Sequence, residues 1–354
     1  MTTMWNPIRI GRIELPHRLA MAPMTRSRAD ADGTPNELIT EYYTQRASLG
    51  LLITEGTQPS DDGQGYPNTP GIYTDSHIAG WRKVIESVHN AGASIYIQLM
   101  HVGRVAHPDN HIEGRRSVAP SAIKAGHDVF TPEGMKDAPE PRALALAEIP
   151  GVQKEFVDAA ASAIAAGADG VELHGANGYL FWQFLTEQSN KRTDEYGGSV
   201  ENRARFLLET TKQVASEIGA DRVGVRLSPN VNFNGYDEGP NYKDNYRYVL
   251  AELDKLGLAY IHLFYFGDEE FLREIRSSLN TPLLLVRAGR DYESIERDLE
   301  NNIADVFPIA TDAISNPDLV ERLKANAPLT PGNPATFYGG SAEGYTDYPT
   351  LKEQ

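Results

Sequence analysis

Three polar side chains of complementary chemistry stand within six residues, directly after a short apolar segment. His174, Asn177 and Tyr179 follow Ala168-Asp-Gly-Val-Glu-Leu173, a run of strand length that predicts a buried β-strand. Because they leave the end of that strand together, an imidazole, an amide and a phenol can surround one point. Such a set can hold a substrate oxygen and supply a proton, whereas a packed core has no need of it. The sequence therefore predicts an active site at this position.

The elements that must position these side chains alternate along the whole chain. Short apolar segments typical of buried parallel strands are separated by amphipathic segments with helical periodicity. A doubly wound open sheet also alternates, but eight repeats in 354 residues favour closure into an α/β fold of the (β/α)8 TIM-barrel class. The predicted strands are 19–24, 51–54, 94–99, 170–173, 223–227, 260–264, 282–286 and 304–309, and the predicted helices are 37–48, 75–91, 151–166, 199–218, 241–256, 269–278, 292–301 and 317–325.

Three segments fall outside the repeat, and we assign them to one domain that spans residues 1–354. Residues 1–17 contain the alternating sequence Ile8-Arg-Ile-Gly-Arg-Ile-Glu-Leu15, which predicts an N-terminal hairpin that caps the barrel floor. Residues 101–149 are rich in Pro, Gly and His and follow the third strand, where barrels keep active-site loops. Residues 328–354 form a C-terminal tail that we expect to wrap the surface.

The composition excludes several classes of function. The net charge of −16 argues against a nucleic-acid partner or an anionic membrane surface. The chain has no cysteine, so disulfides, thiolate catalysis and Cys-ligated metals are excluded, and a reducing cytoplasm is the simplest location. No apolar run reaches the length of a membrane span, and no signal peptide is visible. We expect a monomer or homo-oligomer that acts on a small molecule.

Three histidines, His101, His107 and His111, lie close together in the segment after the third strand. Their number alone would suit a metal ion, because histidine is a common ligand. We interpret them instead as part of a mobile His-rich loop, since no acidic residues stand at ligand spacing, and we expect no metal site.

Further motifs are distributed over nearly the whole chain. They are Ala22-Pro-Met-Thr-Arg26, Glu55-Gly-Thr-Gln58, Gly63-Gln-Gly-Tyr-Pro-Asn-Thr-Pro-Gly71, Gln98-Leu-Met-His-Val-Gly-Arg104, Val225-Arg-Leu-Ser-Pro229, Asn316-Pro-Asp-Leu319, Phe337-Tyr-Gly-Gly340 and Glu343-Gly-Tyr-Thr-Asp-Tyr-Pro349. In this order and spacing, the chain resembles the old yellow enzyme family of FMN-dependent ene reductases. The resemblance implies a TIM barrel with FMN at the carboxyl ends of the strands. It also implies that NAD(P)H reduces the flavin, which then transfers hydride to an α,β-unsaturated carbonyl or nitro compound.

The resemblance implies roles for individual residues as well. His174 and Asn177 would hold the substrate carbonyl oxygen, and Tyr179 would protonate Cα after hydride reaches Cβ. Arg226 would place a permanent positive charge beside the reduced flavin. The other implied cofactor contacts are Pro23, Thr25, Gly56, Gln98, Arg287, Gly289 and Thr311, and the implied substrate pocket comprises Tyr66, Met100, Phe264 and Tyr345.

The phosphate end of the implied flavin site departs from the family pattern. Val286 and Ala288 stand where relatives carry glycine, and Ala310 and Thr311 stand where relatives carry Gly-Arg. A Cβ atom hinders close approach of the backbone to an anion, and threonine cannot replace the charge of arginine. We therefore expect weakened FMN binding, with Arg287 or Arg290 of the neighbouring loop, or the hydroxyl of Thr311, as a substitute phosphate ligand.

Two functional alternatives stay open at this point. A member that has lost FMN would use the same cavity for redox-neutral isomerisation, cyclisation or conjugate addition, which need only carbonyl polarisation and a proton donor. A non-catalytic binding barrel is a further alternative, although it has no use for a proton donor. The intact ring contacts favour the FMN-dependent reductase, and the altered phosphate end favours the redox-neutral enzyme. The reductase is our primary prediction.

Overall fold

Eight parallel strands form a barrel in the computed structural model, which describes residues 2–111, 116–231, 238–287 and 289–353. Hydrogen bonds connect the strands in the order 7-6-5-4-3-2-1-8, and a parallel bridge between Leu284 and Val306 joins the two ends. The predicted TIM barrel is therefore confirmed. The barrel strands are Leu19–Met21 (β1), Leu51–Ile53 (β2), Ser94–Leu99 (β3), Gly170–His174 (β4), Val223–Leu227 (β5), Tyr260–Phe264 (β6), Leu283–Val286 (β7) and Phe307–Ile309 (β8).

Helices cover the outside of the barrel, and each predicted helix is present with bounds that shift by a few residues. Two short helices, Leu180–Leu185 and Thr311–Ser315, were not predicted. No helix among the described residues is long and apolar enough to cross a membrane. The α-helices are Glu37–Gln45 (α1), Asp75–Asn90 (α2), Ile149–Ala166 (α3), Leu180–Leu185 (α4), Val200–Ile218 (α5), Tyr242–Asp254 (α6), Glu269–Ser278 (α7), Tyr292–Glu300 (α8), Thr311–Ser315 (α9) and Leu319–Ala325 (α10).

The eighth strand is shorter than the sequence predicts. It was expected to begin at residue 304 but begins at Phe307. The reason is the side chain of Asp305, which accepts a hydrogen bond from the backbone N–H of Leu283 at 2.8 Å and pairs with Arg276 at 2.7 Å. These contacts anchor the chain before the strand by side-chain bonds, so regular pairing with β1 starts later.

The predicted N-terminal hairpin is present, with Ile8–Ile10 paired antiparallel to Ile13–Leu15. Its side chains Ile10, Ile13 and Leu15 pack into the lower interior of the barrel. Gly11 turns the hairpin with a φ of +55°, and a Cβ there would lie 2.2 Å from the carbonyl oxygen of Asp221. Only glycine suits this close approach. The assignment of residues 1–354 to one domain stays a prediction.

The segment after β3 and the C-terminal tail add small elements outside the barrel. A hairpin joins Asp128–Thr131 to Gly134–Asp137, and Val118–Ala119 pairs with Arg142–Ala143. In the tail, Pro334–Thr336 forms one 3-10 turn.

Arg46 fastens this tail to the barrel wall. Its guanidinium is fully buried over the ring of Tyr42, and it donates hydrogen bonds to the carbonyl oxygens of Ala313, Ile314 and Tyr345 at 2.6–3.1 Å. Burial lowers the pKa of Arg46 to about 10, so the group is still charged at neutral pH.

We predict that Arg46→Met lowers the free energy of unfolding by at least about 3 kcal/mol, because several buried carbonyl groups lose a charged donor at once. Urea denaturation followed by circular dichroism measures the change. Arg12→Met is the control, since Arg12 forms an exposed ion pair with Asp221 that should contribute no more than about 1 kcal/mol. Equal losses in the two variants would contradict this account of the tail.

Candidate active site

The barrel interior carries a buried polar layer near the carboxyl ends of its central strands. Gln98 on β3 donates its Nε2 to Glu172 Oε1 on β4 at 2.7 Å, and His262 Nδ1 on β6 lies 2.9 Å from Glu172 Oε2. Arg226 on β5 is buried next to them, in register with His262. Burial alone would raise the pKa of Glu172, but interactions with His262 and Arg226 lower it below its usual value. The ionised carboxylate therefore compensates the buried guanidinium.

His174 ends β4 and lies beside Arg226 in the register of the two strands. Its Nδ1 accepts a hydrogen bond from the backbone N–H of Ala176 at 3.3 Å, which leaves the ring proton on Nε2. Burial, together with the positive charge of Arg226, holds the pKa of His174 well below its usual 6.5. His174 is therefore a neutral imidazole, and its Nε2 has no hydrogen-bond partner among the described residues.

Asn177 occupies an unusual backbone conformation. Its φ is +58°, in the left-handed region that asparagine tolerates better than most residues, and Gly178 follows at +84°. The backbone N–H of Asn177 donates to Ser228 Oγ at 2.8 Å, which holds the turn against the end of β5. Strained polar residues of this kind cluster at functional sites. Ser228 was not predicted as a site residue, although it lies in the quoted 225–229 motif.

Tyr179 begins the turn into α4 and points its hydroxyl at a second phenol. The Oη atoms of Tyr179 and Tyr66 are 2.9 Å apart, and the ring of Tyr179 meets His174 edge-on at 4.9 Å. Burial raises the pKa of Tyr66, so this phenol is protonated at neutral pH. Tyr338 lies near enough to raise that pKa further, and its side chain is 65% exposed. Sequence reasoning missed Tyr338, although it quoted the motif 337–340 that contains it.

The Met100 side chain fills the space that a side chain at position 56 would need. A Cβ on Gly56 would lie 2.4 Å from the Sδ of Met100, which is buried in a cluster that also contains Tyr179 and Tyr66. The two residues are therefore coupled, because the long Met100 side chain fills the volume that a larger residue 56 would need. Met100 packs beside the two phenols, and its place in the substrate pocket stays a prediction.

A cavity of about 370 Å³ runs from the barrel mouth to the loops after β7 and β8. His174, Asn177 and Tyr179 do not line this cavity, and His174 lies beside the cavity-lining Arg226 on the neighbouring strand. Ala288 lies outside the described residues. The predicted site residues that do line the cavity are Pro23, Arg226, Phe264, Val286, Arg287, Gly289, Ala310 and Thr311.

Two buried N–H groups on the wall of this cavity lack hydrogen-bond partners within the described parts of the chain. They are Nε of Arg226 at one end and Nη1 of Arg287 at the other. Buried charged donors of this kind are costly unless a ligand satisfies them. An elongated ligand with a polar ring at one end and an anion at the other would satisfy both, and this is the shape of FMN. The residues present therefore fit the cofactor.

One predicted pocket residue is misplaced. Tyr345 was expected to line the substrate pocket, but it is fully buried and stacks on Tyr42 at 4.1 Å between ring centroids. The guanidinium groups of Arg26 and Arg28 lie over the same ring at 5.0 and 4.4 Å. Its ring is occupied by this stack outside the barrel, so the prediction for Tyr345 is wrong.

The interpretation of the three histidines also needs correction. His101 is buried, with Nε2 3.6 Å from Asp62 Oδ1, and Glu155 places a carboxylate oxygen in the same cluster. Acidic partners thus come from other elements, which spacing along the chain cannot show. His111 is buried as well and lies 2.8 Å from the carbonyl oxygen of Gln64 through Nε2.

Comparison with known proteins supports the same family over the same residues. The model of the NADH:flavin oxidoreductase / NADH oxidase family matches residues 3–330. A probable flavin mononucleotide-dependent alkene reductase of Leishmania infantum is 41% identical over 98% of this chain and 97% of its own length. A putative 12-oxophytodienoate reductase 5 of Oryza sativa subsp. japonica is also 41% identical, over 97% of this chain and 93% of its own.

Solved structures agree with the sequence comparison. Morphinone reductase in complex with tetrahydroNAD superposes with a TM-score of 0.95 at 42% identity, over 99% of this chain and 98% of that one. An old yellow enzyme homologue from Zymomonas mobilis gives a TM-score of 0.94 at 38% identity, over 99% of this chain and the whole of that one. The chain therefore belongs to the old yellow enzyme family, the FMN-dependent oxidoreductases that act on C=C bonds.

Proposed function

We propose that this chain is an ene reductase that carries hydride from NAD(P)H through FMN to an α,β-unsaturated carbonyl or nitro compound. The single observation that supports this best is the pairing of a neutral N–H donor, His174, with the phenol of Tyr179 at 4.9 Å between ring centroids. A hydrogen-bond donor to the substrate oxygen and a proton for Cα are what the second half of such a reaction needs from the protein.

FMN, when bound, supplies the hydride acceptor and donor of the two half-reactions. Arg226 and Gln98 would hold its ring end, since both lie in the buried layer beneath the barrel mouth. The unpartnered Nε of Arg226 would donate a hydrogen bond to a heteroatom of the flavin ring, and the guanidinium charge would stabilise negative charge on that ring. Arg287 would meet the anionic end, because its own unpartnered Nη1 lies at the far side of the cavity.

His174 and Asn177 would bind the substrate oxygen. A neutral imidazole suits this role, because Nε2–H donates to the oxygen without adding a second buried charge next to Arg226. The left-handed turn at Asn177, held by Ser228, fixes the amide beside it without a conformational search. The oxygen then carries the charge that develops when hydride reaches Cβ.

Tyr179 would deliver its Oη proton to Cα, and Tyr66 would return a proton to Tyr179 over the 2.9 Å contact. Tyr338 lies near Tyr66 and is largely exposed, so the phenols lead from the buried site toward solvent. Full turnover therefore needs no other acid in the site.

The assignment is tested with purified protein supplied with FMN. A flavin absorption spectrum, bleached anaerobically by NADH or NADPH and restored by 2-cyclohexenone or a nitroalkene, supports the reductase. A protein that stays colourless with added FMN, but still converts an enone and loses that turnover on Tyr179→Phe, would establish the redox-neutral alternative.

We predict that Tyr179→Phe slows reoxidation of the reduced enzyme by enone by at least about a hundredfold, because the Cα proton donor is lost. Reduction by NAD(P)H should change less than about threefold, since no proton from this residue enters that step. Stopped-flow absorbance of the two half-reactions separates the effects. Tyr66→Phe is the control: it keeps the Tyr179 phenol and should slow reoxidation much less. Equal losses for both variants would indicate that the lost hydrogen bond between Tyr66 and Tyr179, and not the lost proton donor, slows reoxidation.

The buried neutral state of His174 predicts how stability depends on pH. Its folded pKa is depressed, so below pH 6.5 the unfolded chain binds a proton that the folded chain does not, and stability falls as pH falls. In His174→Asn this loss between pH 7.5 and 5.5 should be smaller by about 1.4 kcal/mol. Urea midpoints at the two pH values measure it. His89→Asn, at an exposed position of α2, is the control for replacing a histidine by asparagine outside the barrel interior.

A further inference from the structure

The far end of the cavity holds two arginines that share one carboxylate. Nη2 of Arg287 lies 2.9 Å from Glu269 Oε2, and Nη2 of Arg290 lies 2.8 Å from Glu269 Oε1. Both arginines belong to the loop after β7, whereas Glu269 is the first residue of α7 after β6. Each oxygen of the Glu269 carboxylate thus accepts a hydrogen bond from one guanidinium group.

Glu269 is ionised in this arrangement. Burial opposes its charge, but the hydrogen bonds from Arg287 and Arg290 lower the pKa of Glu269 below 4.5. Its side chain is 46% exposed, whereas that of Arg287 is only 7% exposed. The exposed carboxylate can therefore move into solvent, at the cost of its two hydrogen bonds, while the Arg287 guanidinium stays fixed on the cavity wall.

Other carboxylates crowd the same end of the cavity. Asp298 Oδ2 lies 3.5 Å from Arg287 Nε, and Asp312 accepts a hydrogen bond from the hydroxyl of Tyr292 at 2.8 Å. Both aspartates line the cavity. Glu269 and Asp298 thus contact the two guanidinium groups, and Asp312 adds a further carboxylate to the cavity wall. An incoming phosphate adds a further negative charge, so it must compete for the guanidinium groups.

We propose that Glu269 is an internal competitor for the phosphate of the flavin: it occupies Arg287 and Arg290, and FMN binds tightly only when it is displaced. The Nη1 of Arg287, which has no partner in the described chain, gives the phosphate its first contact. When the phosphate then replaces the Glu269 carboxylate, the Nη2 atoms of Arg287 and Arg290 become available to it. Glu269 thereby sets how strongly the chain prefers FMN over riboflavin, which lacks the phosphate. This inference rests on the proposed flavin-dependent function.

Glu270 provides a matched control. It is the next residue of the same first helical turn, is exposed, and has no ion-pair partner among the described residues. Glu269→Gln and Glu270→Gln remove the same charge from nearly the same place. Only the first of them breaks the shared contact with Arg287 and Arg290.

The experiment measures dissociation constants of FMN and riboflavin by quenching of flavin fluorescence in the full-length apoprotein. Glu269→Gln should raise the preference for FMN over riboflavin at least about tenfold, because one like charge leaves the phosphate's surroundings. Glu270→Gln should change it less than about twofold, since its charge is solvated. Arg287→Met should lower the preference, and riboflavin affinity should stay within about twofold in all variants, because the ring contacts are untouched.

Several results would overturn the proposal. A Glu269→Gln protein with the parent's preference, or a Glu270→Gln protein with an equal gain, shows that Glu269 does not compete specifically. Thermal melting of each apoprotein identifies a variant that fails to fold, and Glu269→Ala then replaces Glu269→Gln. Failure of the parent and all variants to bind either flavin rejects the proposed function and this inference together. Riboflavin binding without a Glu269 effect rejects only the inference.

Discussion

The electrostatic compensation of the buried Arg226 guanidinium by the nearby Glu172 carboxylate is the interaction on which the site depends. A buried guanidinium is expensive without a compensating charge, and a carboxylate two residues before the end of β4 supplies it. Glu172 also binds Gln98 and His262, so the same group orients the polar side chains of β3 and β6. Burial, together with the charge of Arg226, keeps His174 neutral. Burial and one compensated cation thus set the protonation states of Glu172 and His174 near the barrel mouth.

Much of this arrangement could be predicted from the sequence, because it depends on local patterns. The apolar runs predicted all eight strands. Because His174 and Arg226 stand at the carboxyl ends of the neighbouring strands β4 and β5, they lie side by side. Contacts that depend on the path of distant segments could not be predicted. Tyr345 has the pattern of a pocket residue, yet the tail folds its ring onto Tyr42. His101 gains Asp62 and Glu155 from separate elements. The exposed Tyr338 carries no local signal that distinguishes it from a surface aromatic.

The contact between Gly56 and Met100 shows how a change at one position depends on another. The Met100 thioether lies where a Cβ on residue 56 would be, so a larger residue at position 56 would require a smaller or displaced residue at position 100. The space near Tyr179 is therefore set by the pair, and the unbranched methionine side chain can adapt its shape.

The two ends of the flavin cavity differ in how their carboxylate and guanidinium charges are balanced. At the ring end, one carboxylate balances one guanidinium, and the remaining polar groups are neutral, so the surroundings of the reacting atoms are already organised. At the far end, Glu269 and Asp298 contact the two guanidinium groups, so most of the favourable contacts for an anion are in use. Apart from the contact that Nη1 of Arg287 offers, each contact that an anion gains there replaces an existing one. Affinity for the cofactor can then vary with the residues of the β6 and β7 loops while the proposed roles of His174 and Tyr179 stay unchanged. The substitutions at Ala310 and Thr311 are tolerable for the same reason, since the proposed catalytic groups do not line that end of the cavity.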